Sequence, residues 1–192
     1  MDRSQIAGLI LAGGRARRFE AGRKDLAHLA GKPLIEHVID RAQPQVGALA
    51  ISRADEIEDA GIVIVRDRYP QSGPLAGVQA GLAWARELSP PVEFLATFAC
   101  DTPLFPSDLV EKLWRAMKDA GAPAAIAAAG DARHPTLALW STELEPLARH
   151  RLETGLRSLL GFADAVPAAV ADFGEASSGA FVNVNTRADL GG

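Results

Sequence analysis

A chain of 192 residues, 48% hydrophobic and 23% charged, is long enough for one folded domain and too apolar to be intrinsically disordered. Its formal net charge of −4 argues against a protein that binds nucleic acid without regard to sequence. The single cysteine, Cys100, excludes an intramolecular disulfide and a cysteine-based zinc site. No apolar stretch approaches the roughly 20 residues of a membrane span, so we expect a cytoplasmic protein without membrane contacts.

Short apolar runs alternate along the chain with segments of helical periodicity. The predicted strands are 6–11, 48–52, 62–65, 94–99, 124–128, 135–140 and 167–171. The predicted helices are 33–43, 74–88, 107–120, 143–150 and 154–163. Pro33 and Pro74 suit a first helical turn, and Ser107 suits an N-cap. The alternation predicts one α/β domain over 1–192 with a mostly parallel, doubly wound sheet, in which ligands bind beyond the carboxyl ends of the strands.

The segment 6–18 has the pattern of a buried strand followed by a glycine turn and arginines. Gly13 and Gly14 let backbone N–H groups approach a ligand closely, and a guanidinium group such as that of Arg18 matches phosphate geometry. This order predicts a nucleoside triphosphate site at the end of the strand. Gly14-Arg15 stands where a P-loop needs Lys followed by Ser or Thr, and no G-x-G-x-x-G is present. An ordinary strand-to-helix turn is the alternative interpretation.

Charged residues follow this turn and two later strands. Lys24 is spaced to fold back over a triphosphate, where it would neutralise charge on the leaving pyrophosphate. Asp67 and Asp101 come just after predicted strands, where a carboxylate can hold a Mg²⁺ that also binds phosphates. The alternatives are a solvent-exposed lysine and carboxylates that stabilise turns or cap helices.

Three further segments carry side chains or backbone groups suited to a ligand. Asn183 and Asn185 lie on the same side of an extended segment, where paired amides can hold a ligand or stabilise a turn. His134 precedes a strand and either contacts an anionic substrate or is an ordinary loop histidine. The segment 73–77 opens a helix whose N–H groups and positive end can face a polar ligand.

These pieces occur in a characteristic order and spacing over nearly the whole chain. They are Leu11-Ala12-Gly13-Gly14 with Arg17-Arg18, Lys24, the segment 31–38, Pro44-Gln45-Val46, Gly73-Pro74-Leu75-Ala76-Gly77, Cys100-Asp101-Thr102-Pro103, Arg133-His134-Pro135 and the segment 181–186. Together they resemble the molybdenum cofactor guanylyltransferase (MobA) family. The resemblance implies a Rossmann-like, three-layer α/β/α fold with a mixed sheet, similar to nucleoside-diphosphate-sugar transferases. It also implies transfer of GMP from GTP to the terminal phosphate of Mo-molybdopterin, with Mg²⁺ required and pyrophosphate released.

The resemblance and the chemistry of the residues together assign the site. The GTP-binding set implied by the resemblance is Leu11, Ala12, Gly13, Lys24, Ser52, Asp67 and Asp101. The catalytic set is Arg18, Lys24 and Asp101. The resemblance implies Asp101 and Asn185 as metal ligands and Asn183 on the pterin side, where His134 is also expected. The substrates implied are GTP and Mo-molybdopterin, and transient contact with other molybdenum cofactor proteins is expected.

Two segments depart from the family pattern and leave alternatives open. Phe19-Glu20 and Arg23-Lys24-Asp25 differ around the predicted phosphate loop, and Ser52-Arg53 shortens a segment expected near the base and ribose. One alternative is a related transferase that uses another nucleotide, such as CTP. A second is a non-catalytic nucleotide-binding partner in molybdoenzyme maturation, which the presence of Lys24 and Asp101 makes less favoured.

Overall fold

The computed structural model describes residues 1–12, 28–53, 61–69 and 71–184. Its strands are β1 (Ile6–Leu11), β2 (His28–Leu29), β3 (Lys32–Pro33), β4 (Ala48–Arg53), β5 (Val63–Arg66), β6 (Phe94–Ala99), β7 (Ala124–Ala129), β8 (Ala132–Ser141) and β9 (Ala169–Asp172). Its α-helices are α1 (Leu34–Ala42), α2 (Pro74–Glu87), α3 (Leu109–Ala120), α4 (Glu145–Glu153) and α5 (Leu159–Ala165). None of the helices in these ranges is long and apolar enough to cross a membrane.

Seven of these strands form one mixed sheet in the order β5-β4-β1-β6-β8-β7-β9. The neighbours β5, β4, β1 and β6 are parallel, β8 is antiparallel to both β6 and β7, and β9 is parallel to β7. The predicted mixed, mostly parallel α/β sheet is confirmed. The chain leaves β1 toward β4 and returns on its other side to β6, and such a reversal of strand order opens a crevice at the carboxyl edge.

Helices cover both faces of the sheet, and alternate residues of β1 enter different cores. Ile6 and Ile10 pack in the cluster that includes side chains of α1 and α3. Ala7 and Leu9 pack in the cluster that includes side chains of α2, α4 and α5. Because both faces are buried, the central strands are apolar at nearly every position, which is why 6–11 has no polar alternation.

Helix α2 packs closely on the sheet because two of its own glycines, Gly77 and Gly81, face the strands. A Cβ on Gly81 would lie 2.5 Å from Leu9 Cδ2, which is closer than real Cβ contacts allow. One turn earlier, a Cβ on Gly77 would lie 2.8 Å from Ser52 Oγ and 3.0 Å from Leu11 Cδ2. The first turn of α2 therefore rests directly on the ends of β1 and β4.

Most predicted elements are confirmed within a residue or two, but the helix predicted over 154–163 is wrong in its first half. Helix α4 ends at Glu153, and Gly155 adopts a left-handed conformation with a φ of 82° that ends the helical path. Helix α5 begins anew after Ser158, whose Oγ accepts a hydrogen bond from the Gly161 N–H at 3.0 Å. Ser158 is the local signal for the start of α5, and the prediction from the apolar pattern did not use it.

The predicted caps of two other helices also need correction. Helix α3 begins at Leu109 rather than after Ser107, and its first turn is capped from a distance, because the Gln45 Oε1 accepts a hydrogen bond from the Val110 N–H at 3.0 Å. Pro33 ends the unpredicted β2–β3 hairpin and precedes α1 instead of lying in its first turn. Pro74 is the first residue of α2, as predicted.

Candidate active site

Three strand ends meet at the carboxyl edge of the sheet. Leu11 of β1 is paired in register with Ser52 of β4 and with Ala99 of β6. The Ala12 N–H donates to the Ser52 carbonyl at 3.1 Å, and the Cys100 N–H donates to the Leu11 carbonyl at 3.3 Å. The sheet therefore engages the carbonyl of Leu11 and the N–H of Ala12, which limits the backbone groups that these two residues can offer to GTP.

Asp101 lies immediately beyond β6 and is joined to the C-terminal segment of the described chain. Its carbonyl accepts a hydrogen bond from the Val184 N–H at 2.7 Å. Beside it, the Thr102 hydroxyl donates to Asn183 Oδ1 at 2.7 Å. Thr102 is buried, whereas Asp101 is half-buried and Asn183 is exposed. The predicted metal carboxylate and the predicted pterin-side amide thus lie on two segments hydrogen-bonded side by side.

His134 belongs to the same edge because β8 runs antiparallel to β6, so its first residues lie beside the carboxyl ends of the parallel strands. The imidazole stacks on Phe181, with ring centroids 4.9 Å apart, and Phe181 packs in turn against Phe173 at 5.1 Å. Burial lowers the pKa of His134 below its usual 6.5. A neutral imidazole at this position would meet a phosphate as a hydrogen-bonding group rather than as a cation.

The strand β8 bulges directly after His134. Pairing with β7 passes from Ile126 and Ala138 to Ala127 and His134, so the residues 135–137 have no partners on β7. A bulge of this kind bends the strand and re-aims the side chains beside it. The prediction of a regular strand over 135–140 is therefore only partly right, because the strand begins at Ala132 and contains this bulge.

Ser52 is almost entirely buried, with only 4% of its surface exposed. It is the predicted nucleotide contact on β4, and Gly77 of α2 closes over it. The next residue, Arg53, is also buried at the strand end. Any contact between Ser52 and a nucleotide would be made through a narrow exposed part of the residue, at the junction of β4 with α2.

Asp67 lies farther out, beyond the edge strand β5. Its Oδ1 accepts a hydrogen bond from the Tyr69 N–H at 2.7 Å, which is the turn-stabilising role considered as the alternative. Burial raises the pKa of Asp67, although the hydrogen bond from Tyr69 acts in the opposite direction. Strands β5 and β6 are separated by β4 and β1, a span of about 14 Å at ordinary strand spacing. Asp67 and Asp101 are thus too far apart to bind one metal ion together, but a nucleotide can span them.

Comparison with known proteins identifies the family. A model of the MobA-like NTP transferase domain matches residues 8–168. The chain belongs to this family. It is 41% identical over 189 residues to a molybdenum cofactor guanylyltransferase of Serratia proteamaculans, covering 96% of this chain and 92% of that protein. It is 39% identical over 189 residues to one from Cereibacter sphaeroides, covering 97% and 94% of the two chains.

Solved structures share the fold of this MobA-like chain. The molybdopterin-guanine dinucleotide biosynthesis protein A of Archaeoglobus fulgidus superposes with a TM-score of 0.76 at 23% identity, covering 96% of this chain and 95% of that one. A CMP:2-keto-3-deoxy-manno-octonic acid synthetase complexed with CTP superposes with a TM-score of 0.70 at 15% identity, covering 98% and 96%. At these identities the likeness shows the fold alone and leaves the choice of nucleotide to other evidence.

Four predicted site residues of this MobA-like chain lie outside the described ranges. They are Gly13, Arg18, Lys24 and Asn185. The predicted roles of these residues in binding triphosphate and metal therefore remain predictions. The site that the structure does describe has the strand ends at Leu11 and Ser52 on one side, and the neighbouring segments of Asp101 and Asn183, with His134, on the other.

The described donor set fits a magnesium ion that is shared with a substrate. Within the described ranges, no three His, Cys, Asp or Glu side chains converge as a metal cage. Mg²⁺ is usually held by one or two carboxylates together with substrate phosphates and waters. A single carboxylate such as Asp101, at the crevice of a MobA-like fold, matches that pattern of donors.

Sequence reasoning missed the role of Thr102. The residue was part of the Cys-Asp-Thr-Pro segment, but nothing in that segment indicates what its hydroxyl contacts. Its partner Asn183 lies 81 positions away along the chain. The available signal was weak: a hydroxyl directly after a strand-end carboxylate needs a hydrogen-bond partner if the turn is buried.

Proposed function

We propose that this chain is a molybdenum cofactor guanylyltransferase, which transfers GMP from GTP to the terminal phosphate of Mo-molybdopterin and releases pyrophosphate. Near-full-length similarity to relatives of that name supports the activity. The observation in the structure that carries the proposal is the placement of Asp101. Its turn lies beyond the crevice strands β1 and β6 and is hydrogen-bonded to the segment that carries Asn183.

The reaction requires no covalent bond to the protein and no general base from it. The acceptor phosphate is already ionised near neutral pH, so it attacks the α-phosphorus of GTP without a general base. The bond from the α-phosphorus to the bridging oxygen breaks, and pyrophosphate leaves with the electron pair. Catalysis then depends on holding the two substrates in line and on neutralising negative charge.

The residues divide these tasks between them. Asp101 would hold Mg²⁺, with Asn185 as a second ligand, and the bound ion supplies positive charge next to the phosphates. Arg18 and Lys24 would neutralise the triphosphate and the leaving pyrophosphate. The neutral imidazole of His134 would offer a hydrogen bond to the acceptor without adding charge.

The two substrates would approach the carboxyl edge from opposite sides. The backbone of Leu11, Ala12 and Gly13, together with Ser52 and Asp67, would bind GTP over β1, β4 and β5. Asn183 and His134 would bind the pterin over β6 and β8. The attacking phosphate and the α-phosphorus would then meet next to Asp101, where the two groups of residues adjoin.

Thermal unfolding with Mg²⁺ and each of GTP, ATP, CTP and UTP tests the choice of nucleotide. A ligand that binds only the native state raises the melting temperature, so selective stabilisation by GTP supports the guanylyltransferase. Selective stabilisation by CTP would assign the chain to the cytidylyl alternative. An unchanged melting temperature when GTP and Mo-molybdopterin are added together would count against the proposal.

Pyrophosphate release with GTP and Mo-molybdopterin tests the catalytic assignment. We expect Asp101→Asn to abolish turnover while the protein stays folded, because the amide cannot supply the negative charge that binds Mg²⁺. Asp119→Asn is the matched control, since Asp119 is exposed near the end of α3, at the opposite edge of the sheet. Turnover surviving in Asp101→Asn would remove Asp101 from the metal role. Turnover in the unaltered protein would eliminate the non-catalytic alternative.

We also propose that the protein acts in the cytoplasm and contacts other molybdenum cofactor proteins transiently. The reasoning is chemical, because both substrates and the dinucleotide product are charged phosphates that do not cross a bilayer unaided. Capture of a purified acceptor molybdoenzyme by the product-loaded protein, and not by the substrate-free protein, is the expected result. Equal capture in both states would contradict a contact linked to delivery.

A further inference from the structure

A buried hydroxyl reaches out to the exposed amide on the acceptor side of the site. Thr102 is 2% exposed, and its backbone N–H donates to the Ala99 carbonyl at 3.2 Å, which fixes the turn after β6. Its Oγ1 lies 2.7 Å from Asn183 Oδ1. This separation is typical of an O–H···O hydrogen bond and shorter than the usual N–H···O distance. The hydroxyl therefore donates to the amide oxygen.

The bond sets the orientation of the Asn183 amide. An asparagine side chain carries an acceptor at one end and two donors at the other, so turning the oxygen toward Thr102 turns the NH₂ group to the opposite side. Without the hydroxyl, nothing at Thr102 would distinguish the two ends. Thr102 thus determines which end of the Asn183 amide, the acceptor oxygen or the donor NH₂ group, faces away from it.

The backbone of the same segment is held by other contacts. The Val184 N–H donates to the Asp101 carbonyl at 2.7 Å. Phe181 is 3% exposed and packs between His134 and Phe173. Because these contacts do not involve the Thr102 side chain, loss of its hydroxyl should leave the segment in place and affect mainly the amide.

We propose that Thr102 is a positioning residue for the phosphate acceptor: through its hydroxyl it orients Asn183 next to the turn that carries Asp101. The inference rests on the proposed function, since it assumes that Asn183 lies on the acceptor side. It distinguishes the two substrates, because the hydroxyl is hydrogen-bonded to Asn183 on the acceptor side, whereas Leu11 and Ser52 lie on the GTP side. Thr102 should therefore affect use of the acceptor and leave GTP binding unchanged.

The test compares the unaltered full-length chain with Thr102→Val and Thr102→Ser. Valine keeps the branched shape and removes the hydroxyl, whereas serine keeps the hydroxyl. Pyrophosphate release is measured against Mo-molybdopterin concentration at saturating GTP, and GTP binding is measured separately by thermal shift with Mg²⁺. We expect Thr102→Val to lower kcat/KM for the acceptor by about three- to tenfold, the loss of one net hydrogen bond. We expect the GTP-induced shift to stay unchanged and Thr102→Ser to restore the acceptor kinetics.

Three results would overturn the inference. One is unchanged acceptor kinetics in Thr102→Val, and another is an equal loss in Thr102→Ser. The third is a loss of GTP binding in parallel with the acceptor kinetics, which indicates a general structural role. If the unaltered protein releases no pyrophosphate with both substrates, the proposed function fails and this inference falls with it. Turnover in the unaltered protein with wild-type kinetics in Thr102→Val refutes the positioning role alone.

A second set of variants covers the case in which Thr102→Val does not fold. Asn183→Ala removes the exposed partner and leaves the buried turn intact, and it should show the same acceptor-specific loss. Where both single variants fold, Thr102→Val with Asn183→Ala should be no worse than Asn183→Ala alone, because residues that act through one contact are not additive. Wild-type acceptor kinetics in Asn183→Ala, or fully additive losses in the double variant, would contradict the inference.

Discussion

Replacing Gly77 with alanine would place a methyl group in the contact between α2 and the strand ends of the candidate site. The added Cβ would lie 2.8 Å from Ser52 Oγ and 3.0 Å from Leu11 Cδ2. Gly81, one turn along the same face, is the matched control, because its Cβ would lie 2.5 Å from Leu9 Cδ2 in the core below the site. The two variants share the helix, the sheet and the chemical change. They differ in whether the disturbed residues are predicted to bind nucleotide.

The magnitudes follow from what each methyl group would meet. Overpacking a core costs about 1–3 kcal/mol, and exchanging glycine for alanine in a helix returns up to about 1 kcal/mol. At Gly77 the nearest atom is a serine hydroxyl that can rotate, so we expect a net loss of about 1 kcal/mol or less. At Gly81 the nearest atoms belong to Leu9 and Leu95, which are fully buried, so we expect about 2 kcal/mol. In a protein of 192 residues, 2 kcal/mol lowers Tm by about 4–8 °C.

Thermal unfolding with and without GTP and Mg²⁺ separates the two effects. We expect Gly81→Ala to have the lower Tm but the full GTP-induced rise, and Gly77→Ala to have the smaller rise. A full rise in Gly77→Ala would refute the placement of the end of β4 in the nucleotide site. A Tm for Gly81→Ala equal to that of the unaltered protein would refute the close packing of α2 on β1.

Three other perturbations have expected outcomes. Because the pKa of His134 is lowered in the folded protein, the unfolded state binds more protons, and the free energy of unfolding falls as the pH drops below 6.5. His134→Phe keeps a ring against Phe181 and should flatten that part of a plot of unfolding free energy against pH. The raised pKa of Asp67 has the opposite effect on the pH dependence of stability, because its ionised form destabilises the folded protein above pH 3.8. The stability of Asp67→Asn should therefore increase relative to that of the unaltered protein as the pH rises. Phe98→Ala should cost about 3–5 kcal/mol by chemical denaturation, since Phe98 is fully buried; a cost below about 1 kcal/mol would contradict the packing.

The sequence predicted the elements whose signals are local. The uniformly apolar run 6–11 predicted a strand buried on both faces, and the position of Asp101 directly after another such run predicted its place at the carboxyl edge. Both inferences need only a few consecutive residues and the general rule that ligands bind at that edge. The order of strands and helices likewise followed from alternation along the chain.

Contacts between distant parts of the chain could not be predicted in this way. The cap of α3 comes from Gln45, which is 65 positions from its partner Val110. The hydroxyl of Thr102 finds Asn183 only after the chain has folded. Ser52 was predicted to contact a ligand, but its burial depends on a glycine of α2 that presses against it. Each of these features depends on tertiary packing, which a local sequence pattern does not predict.

The covering of α2 on two sides has a dynamic consequence. Nine of its 14 residues are buried, since the sheet lies beneath it and α4 packs over it. Opening such a helix exposes the core that it shares with α4, α5 and the sheet, so its amide protons should exchange with solvent only through global unfolding. A substrate that meets the first turn of α2 therefore meets a rigid wall, and discrimination there would depend on shape already present before binding.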